Sequence, residues 1–260
     1  MIVLHMKLTE KPRYIGFLTA VMISVVMVSC GKRYEELPFG GMNGRVQKVT
    51  VLHLMPEMWH GISKKTDVMY QNVSVYDIEG HEICSAVMDS AGLIQAEAES
   101  LFEGGVCVRS TQKAGEKVIV QINLRSNDKG VLEYDKRMGK DRVRMVVKEK
   151  SFGRTHTSTV TENGVITQVS KIKTDRQGYP VKITVTNPQT GFKSVETNIF
   201  DERHNVTEKH VVSTDEDNPE ETTYTDYGGF DEHGNWTEAR TYNGRRLPVE
   251  ILLRQIEYWQ

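Results

Sequence analysis

Three cysteines in 260 residues leave no room for a disulfide scaffold, and none of them forms a C-x-x-C pair that would hold zinc or run thiol redox chemistry. The chain also has no G-x-S-x-G, no P-loop, no H-E-x-x-H and no H-x-H, so the local signatures of acyl transfer, phosphate cradling and zinc hydrolysis are missing. An excess of one charge is lacking too: 33 basic against 35 acidic residues give a net −2, without the basic footprint that nucleic acid requires. Long apolar runs are absent but for one, Phe17 to Ser29, and thirteen residues fall short of the ~20 that a membrane-spanning helix needs. What remains is a globular composition, 38% hydrophobic and 26% charged, able to bury a real core in one or two domains.

The one apolar run follows Lys7, Lys11 and Arg13, the layout of a secretory signal. It stops at "MVSC" (27–30), which resembles the lipobox of bacterial lipoproteins, with Met27 where Leu is usual and the small Ser29 before Cys30. The resemblance implies cleavage after residue 29, a lipid on Cys30 and an outer-membrane location through that anchor, on either the periplasmic or the surface face. Removing residues 1–29 takes away three bases and one acid and moves the net charge from −2 to −4. Cys84 and Cys107 are then the remaining thiols.

The rest of the chain repeats a short theme. "FDERHNVTEKHVV" (200–212) returns as "FDEHGNWTEARTY" (230–242), with weaker copies of Asp-x-x-Gly in "YDIEGHEI" (76–83), "MDSAGLIQ" (88–95) and "TDRQGYPVKITV" (174–185), and a Thr-led variant in "TENGVITQV" (161–169). In the clearest copy Asp231 caps a type I turn and Gly234 takes the left-handed position; in the other, Asp201 caps and His204 stands where the Gly was, a residue tolerated at positive φ. The spacing between copies, twelve to thirty residues, fits one strand plus turn or a strand pair. Between turns the residues alternate: Val118, Val120, Ile122 and Leu124 share one face, and Val181, Ile183 and Val185 another. Asn163-Gly164 and Asn243-Gly244 add two hairpin signals. "LIQAEAESLFE" (93–103) fits a helical stripe as well, but Gln95, Glu97 and Glu99 alternate with Ala96 and Ala98, so a strand is expected there.

These copies resemble the YD repeats of RHS-type proteins, in the short divergent form found in Bacteroidales lipoproteins, over about residues 70–260. The resemblance implies a long antiparallel meander that can curl into a shell. The expected fold is therefore mainly β: an extended, curved antiparallel meander of hairpins with few or no helices, occupying 45–260 behind a signal peptide (1–29) and a lipidated tether (30–44).

Candidate sites are few. His204, His210 and His233 lie near Asp201 and Asp231, but turn geometry accounts for them and no metal or cofactor is expected. "MPEMWHG" (55–61) offers Trp59 and His60 as contacts for a ligand or partner. "DSA" (89–91) matches the O-glycosylation sequon of the lineage that the chain resembles, which would place a glycan on Ser90. "STDEDNPEET" (213–222) crowds acids beside Asn218 and Pro219 without calcium-loop spacing and reads as a solvated loop. The function expected is a binding or display module for an envelope protein or a glycan. A carbohydrate-active hydrolase, whose carboxylates would sit on separate strands without a local motif, and a toxin-system component related to RHS proteins are the alternatives.

Overall fold

The computed structural model describes residues 38–260 apart from 60–61, 129–130 and 217–218. Sixteen strands follow one another: β1 (Val46–Trp59), β2 (Ile62–Tyr76), β3 (Glu82–Asp89), β4 (Ile94–Glu103), β5 (Val106–Ala114), β6 (Lys117–Asp128), β7 (Val131–Met138), β8 (Asp141–Phe152), β9 (Thr155–Glu162), β10 (Val165–Thr174), β11 (Pro180–Asn187), β12 (Phe192–Phe200), β13 (Val206–Ser213), β14 (Glu220–Phe230), β15 (Trp236–Asn243) and β16 (Pro248–Tyr258). A short 3-10 turn, Pro38–Gly41, precedes them and is the helical content of the described residues. The segment 93–103 that also fitted a helix is strand β4.

Each strand pairs antiparallel with its neighbours in sequence, and the sheet does not stay an open meander: β1 pairs β16, from Val46 opposite Tyr258 to Leu54 opposite Ile251, closing a barrel. This corrects the expectation of an extended curved sheet. The physical reason is edge satisfaction, because an open meander this long would leave two rows of unpaired backbone groups, and closure removes both edges. Leu54 and Ile251, 6% and 0% exposed, seal the seam.

The inner face follows from burial. The register sets the least exposed side chains of consecutive strands on one common face, which is the interior. Leu132, Tyr134, Met145, Val147 and Val160 are all at 2% or below, and together with Ala98, Cys107, Val120 and Ile122 they form one packed cluster across β4–β9. The alternate positions on the same strands carry charge: Glu133, Asp135 and Arg137 on β7, and Arg142, Arg144, Lys148 and Lys150 on β8. The outer wall is laced by ion pairs such as Arg144–Glu133 at 2.6 Å and Lys113–Glu97 at 2.6 Å.

Turns set the two rims. The rim where the chain enters at Val46 and leaves at Tyr258 bears the connections 77–81, 175–179, 201–205 and 231–235. All four are capped by the side chain of their leading Asp, which accepts the amides two and four residues on. In 231–235 the Gly234 amide donates to the Asp231 carbonyl at 3.0 Å, while the Asp231 side chain accepts the amides of His233 and Asn235 at 3.0 and 2.9 Å. Asp201 does the same for Arg203 and Asn205. The left-handed position is held by Gly234 at φ 82° and by His204 at φ 62°. On the opposite rim, Asn163-Gly164 is a two-residue turn with both φ positive, so "TENG" is not built as an Asp-type turn with Thr161 as its cap. Asn243 behaves the other way: it caps a five-residue turn, accepting the amides of Arg245 and Leu247, and Arg246 rather than Gly244 is left-handed at φ 60°.

Candidate functional site

The connections 175–179, 201–205 and 231–235 are successive hairpins on the entry rim, and their side chains interlock. Tyr179 stacks on His204 with ring centroids 4.2 Å apart and meets Phe200 at 5.7 Å. Arg203 lies 4.1 Å over the Phe230 ring, so each turn reaches the next strand pair. Tyr227 meets Trp236 at 5.5 Å, and the Arg254 guanidinium covers Trp236 at 3.8 Å. Cation–π contacts of this kind contribute roughly 0.5–2 kcal/mol each, the larger values where water is excluded.

The chain entering the barrel completes the ring. Asn43 donates its amide to the Asn235 side chain at 2.9 Å and receives the Asn235 carboxamide on its carbonyl at 2.9 Å. Asn235, 5% exposed, also donates to the Tyr258 hydroxyl at 2.7 Å, and that hydroxyl donates to the Asp231 carboxylate. Met42 packs against Val46, Val49 and Tyr76, so residues 42–43, inside the expected tether, are seated on the barrel. Between this segment and the three turns opens a cavity of about 870 Å³, lined among others by Tyr179, Phe200, Tyr227, Phe230, Trp236 and Arg254.

The electrostatics of the cavity are set by burial. Desolvation pushes the Tyr227 hydroxyl up to about 12, helped by the nearby Asp201 charge and opposed by Arg254. Tyr258 is likewise raised to about 12 by burial and by its bond to Asp231. Burial pulls the Arg254 guanidinium down to about 10 against the attraction of Asp231. Burial alone would raise Asp231, but the Tyr258 hydroxyl and the amides of Asn235 and His233 outweigh it and hold the carboxyl below its ordinary value. At neutral pH the site therefore holds a charged arginine, an ionised Asp231 and protonated tyrosines.

Asp201, His204, Asp231 and Gly234 all belong to the two turns that frame this cavity, with His204, Asp231 and Gly234 in its lining. His233 rests on Tyr258 at 4.1 Å, and His210 sits in mid-β13 bonded to Thr222 at 2.9 Å, away from the turns. The three histidines thus have separate partners. Ser90 lies in the exposed turn after Asp89 on the opposite rim. Trp59 ends β1, but its side chain, His60 and Cys30 lie outside the described residues. The acidic run 213–222 is not one loop: Glu220–Thr222 belong to β14.

Two further polar groups lie elsewhere. Asp77, Glu79 and His81 place one potential metal-ligand atom each within 4.8 Å of one another. Asp77 already accepts the Glu79 and His81 amides and the His81 ring, and the same turn is built at Asp175 with a Tyr in the His81 position. Ordinary turn bonding accounts for the group. Inside the barrel His53 bonds Glu250 at 2.6 Å and Asn72 at 3.0 Å and stacks on Tyr70 at 4.0 Å.

Sequence reasoning missed the aromatic and arginine lining. A signal was present for two of them: each clear copy of the repeat carries an aromatic residue directly before the Asp, and Phe200 and Phe230 are those residues. Arg254 had none.

No protein-family model and no curated protein sequence matches the chain. Among solved structures it is similar to a porin-like protein from Bacteroides vulgatus ATCC 8482, at 11% identity over 82% of this chain and 98% of that one, with a TM-score of 0.43. A porin-like protein from Bacteroides uniformis ATCC 8492 is similar at 11% identity over 83% and 99% of the two chains, with a TM-score of 0.39.

Proposed function

We propose that the chain is a lipoprotein held at the outer membrane through Cys30, whose barrel works in water as a binding module and takes a glycan or envelope protein in the entry-rim cavity. The observation that carries this reading is the cavity itself, a concave space of about 870 Å³ whose walls combine five aromatic rings with two arginines. Rigid aromatic walls with a few placed polar groups are the usual make-up of a recognition site.

The distribution of charge supports an anchored barrel over an inserted one. A lipid-facing wall needs an apolar band roughly 25 Å tall, and each Arg or Lys at mid-bilayer costs about 2–4 kcal/mol. Here the packed apolar cluster of β4–β9 is inside, and the outer face of β7 and β8 alone carries seven charged side chains, as given above.

Binding is preferred to hydrolysis because of what the cavity acids are doing. A glycosidase sets two carboxyl groups on either side of the bond it cleaves. The acids that line this cavity are Asp231, engaged by turn amides and Tyr258, and the adjacent Glu232. They stand side by side on one turn.

The test has two parts. Cys30→Ala should release the protein from membranes, and unchanged partitioning with an unmodified N-terminal peptide mass would remove the anchor from the reading. Pull-down of the native lipoprotein, with partners and glycans identified, should lose its specific ligands in a Phe230→Ala, Trp236→Ala variant. Retention of every ligand by a folded variant would remove the cavity.

A further inference from the structure

Arg254 is the side chain in this cavity with the most unused capacity. It is partly buried on β16, and its Nε–H donates to the Trp236 carbonyl at 2.8 Å. Among the described residues no carboxylate pairs with it, and its two terminal nitrogens donate to no protein group. Asp231, the acid whose charge it feels, has one oxygen on the turn amides and the other on Tyr258. A guanidinium taken partly out of water with its terminal nitrogens unpaired costs free energy, and the planar fork matches a carboxylate or phosphate bidentately. The second cation of the cavity, Arg203, sits at its exposed edge over Phe230, which is itself 38% exposed.

Resting on the reading of the cavity as a glycan-binding site, we propose that its ligand is an anionic saccharide: a sugar bearing a carboxylate or phosphate that Arg254 grips through its free fork, with the ring against Phe230 and Trp236. The two features select together. The aromatic walls take the apolar C–H face of a pyranose, and the buried cation rejects the uncharged analogue, which would leave it desolvated and unpaired. Arg203 adds attraction at the mouth, and Glu232, exposed on the neighbouring turn, opposes it. The location suits such a ligand. If the lipid is on Cys30, eight residues to Pro38 reach at most about 28 Å, so the entry rim lies close to the anchoring membrane and its anionic glycans.

The experiment is calorimetric titration of the full lipoprotein in detergent. Tetragalacturonate is compared with its methyl ester, N-acetylglucosamine 6-phosphate with N-acetylglucosamine, and inorganic phosphate alone is the control. The charged member of at least one pair should bind tenfold or more tighter than its neutral partner, and which pair responds separates a uronate from a phosphosugar. Arg254→Gln should erase that preference, and Arg254→Lys should recover only part of it, since an ammonium lacks the fork. Arg203→Gln should weaken binding a few-fold and Glu232→Gln strengthen it. These two lie on exposed turn positions, so they carry the test even if the Arg254 variants unfold. Equal affinity for charged and neutral sugars, or a preference untouched by folded Arg254→Gln, overturns the anionic assignment and leaves a glycan cavity standing. Phosphate binding as tight as the phosphosugar overturns the saccharide part. No binding of any sugar overturns both this inference and the reading on which it rests.

Discussion

The barrel is built from one kind of hairpin, yet its two halves differ. Across β4–β9 the inward positions are mostly aliphatic or aromatic and packed to near-zero exposure, with Ser110, Gln112 and Lys136 the buried polar exceptions, and the connections are two-residue turns such as Gly104-Gly105, Gly139-Lys140 and Gly153-Arg154. Across β10–β15 the positions equivalent to that core include Ser170, Ser194, Glu196, Asn198, Thr223 and Thr225, and the entry-rim connections are the five-residue Asp turns. The tight turns are short, and their glycines carry no side chain to reach a neighbour. The longer turns stand above the rim and carry rings and cations that meet. The first half holds the fold together, and the second, freed from that task, holds the site.

The sharpest way to break this contrast is a large-to-small change in each half. Leu132→Ala, at a side chain 2% exposed inside the β4–β9 cluster, should cost about 2–5 kcal/mol through lost burial and the cavity left behind. Thr225→Ala in the polar half should cost less than about 1 kcal/mol. Denaturant unfolding of both variants checks the pair, and equal losses would show that the halves share the load.

The long turns themselves come next. Gly234→Val should destabilise by about 1–2 kcal/mol, because a β-branched residue is strained at φ 82°, whereas Gly234→Asn should be nearly neutral. The space is not the obstacle, since an added Cβ would meet Asn43 only at 3.8 Å. Equal melting temperatures for the Val variant and the native protein would contradict the left-handed turn.

A smaller effect is expected in acid. Asp231 is held below its ordinary carboxyl value in the folded state, so the stability it contributes is present above the unfolded value near 3.8 and is lost as pH falls through the lower folded value. The melting temperatures of native protein and Asp231→Asn should therefore differ at pH 6 and converge once the pH has fallen through the lowered folded value. A difference independent of pH would assign the effect to the amide's hydrogen bonding and not to ionisation.

The β class was legible because alternation and turn residues are local, as in Val181, Ile183 and Val185 or in Asp231 with Gly234. Closure was not, since it rests on β1 recognising β16 across some two hundred residues and nothing in "VQKVTVLHL" names its partner. The site divides the same way. Phe200 and Phe230 could have been read from the residue that precedes Asp in the repeat. The Asn43–Asn235 clasp exists only once the chain's ends are brought together, and the place of Arg254 over Trp236 depends on the register of β16 against β15. The Asn243 turn shows a subtler limit: the Asn-Gly pair marked a reversal, but which residue turned left-handed depended on where the two strands came into register.

Cysteine chemistry offers the mildest probe of the two halves, because it should leave stability unchanged. Cys84 lies on β3 and Cys107 on β5, with β4 between them. Adjacent strands are about 4.8 Å apart, so the two Cα atoms are separated by roughly 10 Å, beyond the ~7 Å that a disulfide spans. Their surroundings differ by the face of the wall that each occupies. Cys107, 1% exposed, belongs to the packed cluster, whereas Cys84 is half-buried on the charged outer wall opposite Glu99. Burial, with Glu97, Glu99 and Glu82 nearby, pushes the Cys84 thiol up and slows its reaction, but the sulfur stays within reach of reagent. Native mature protein should thus take up one equivalent of a thiol reagent slowly, at Cys84, and the denatured, unreduced protein two. A lipidated Cys30, its sulfur already alkylated, adds none. Failure of either thiol to react in denaturant, with a cross-linked Cys84–Cys107 peptide of monomeric mass, would require a different order for the strands that begin the packed half.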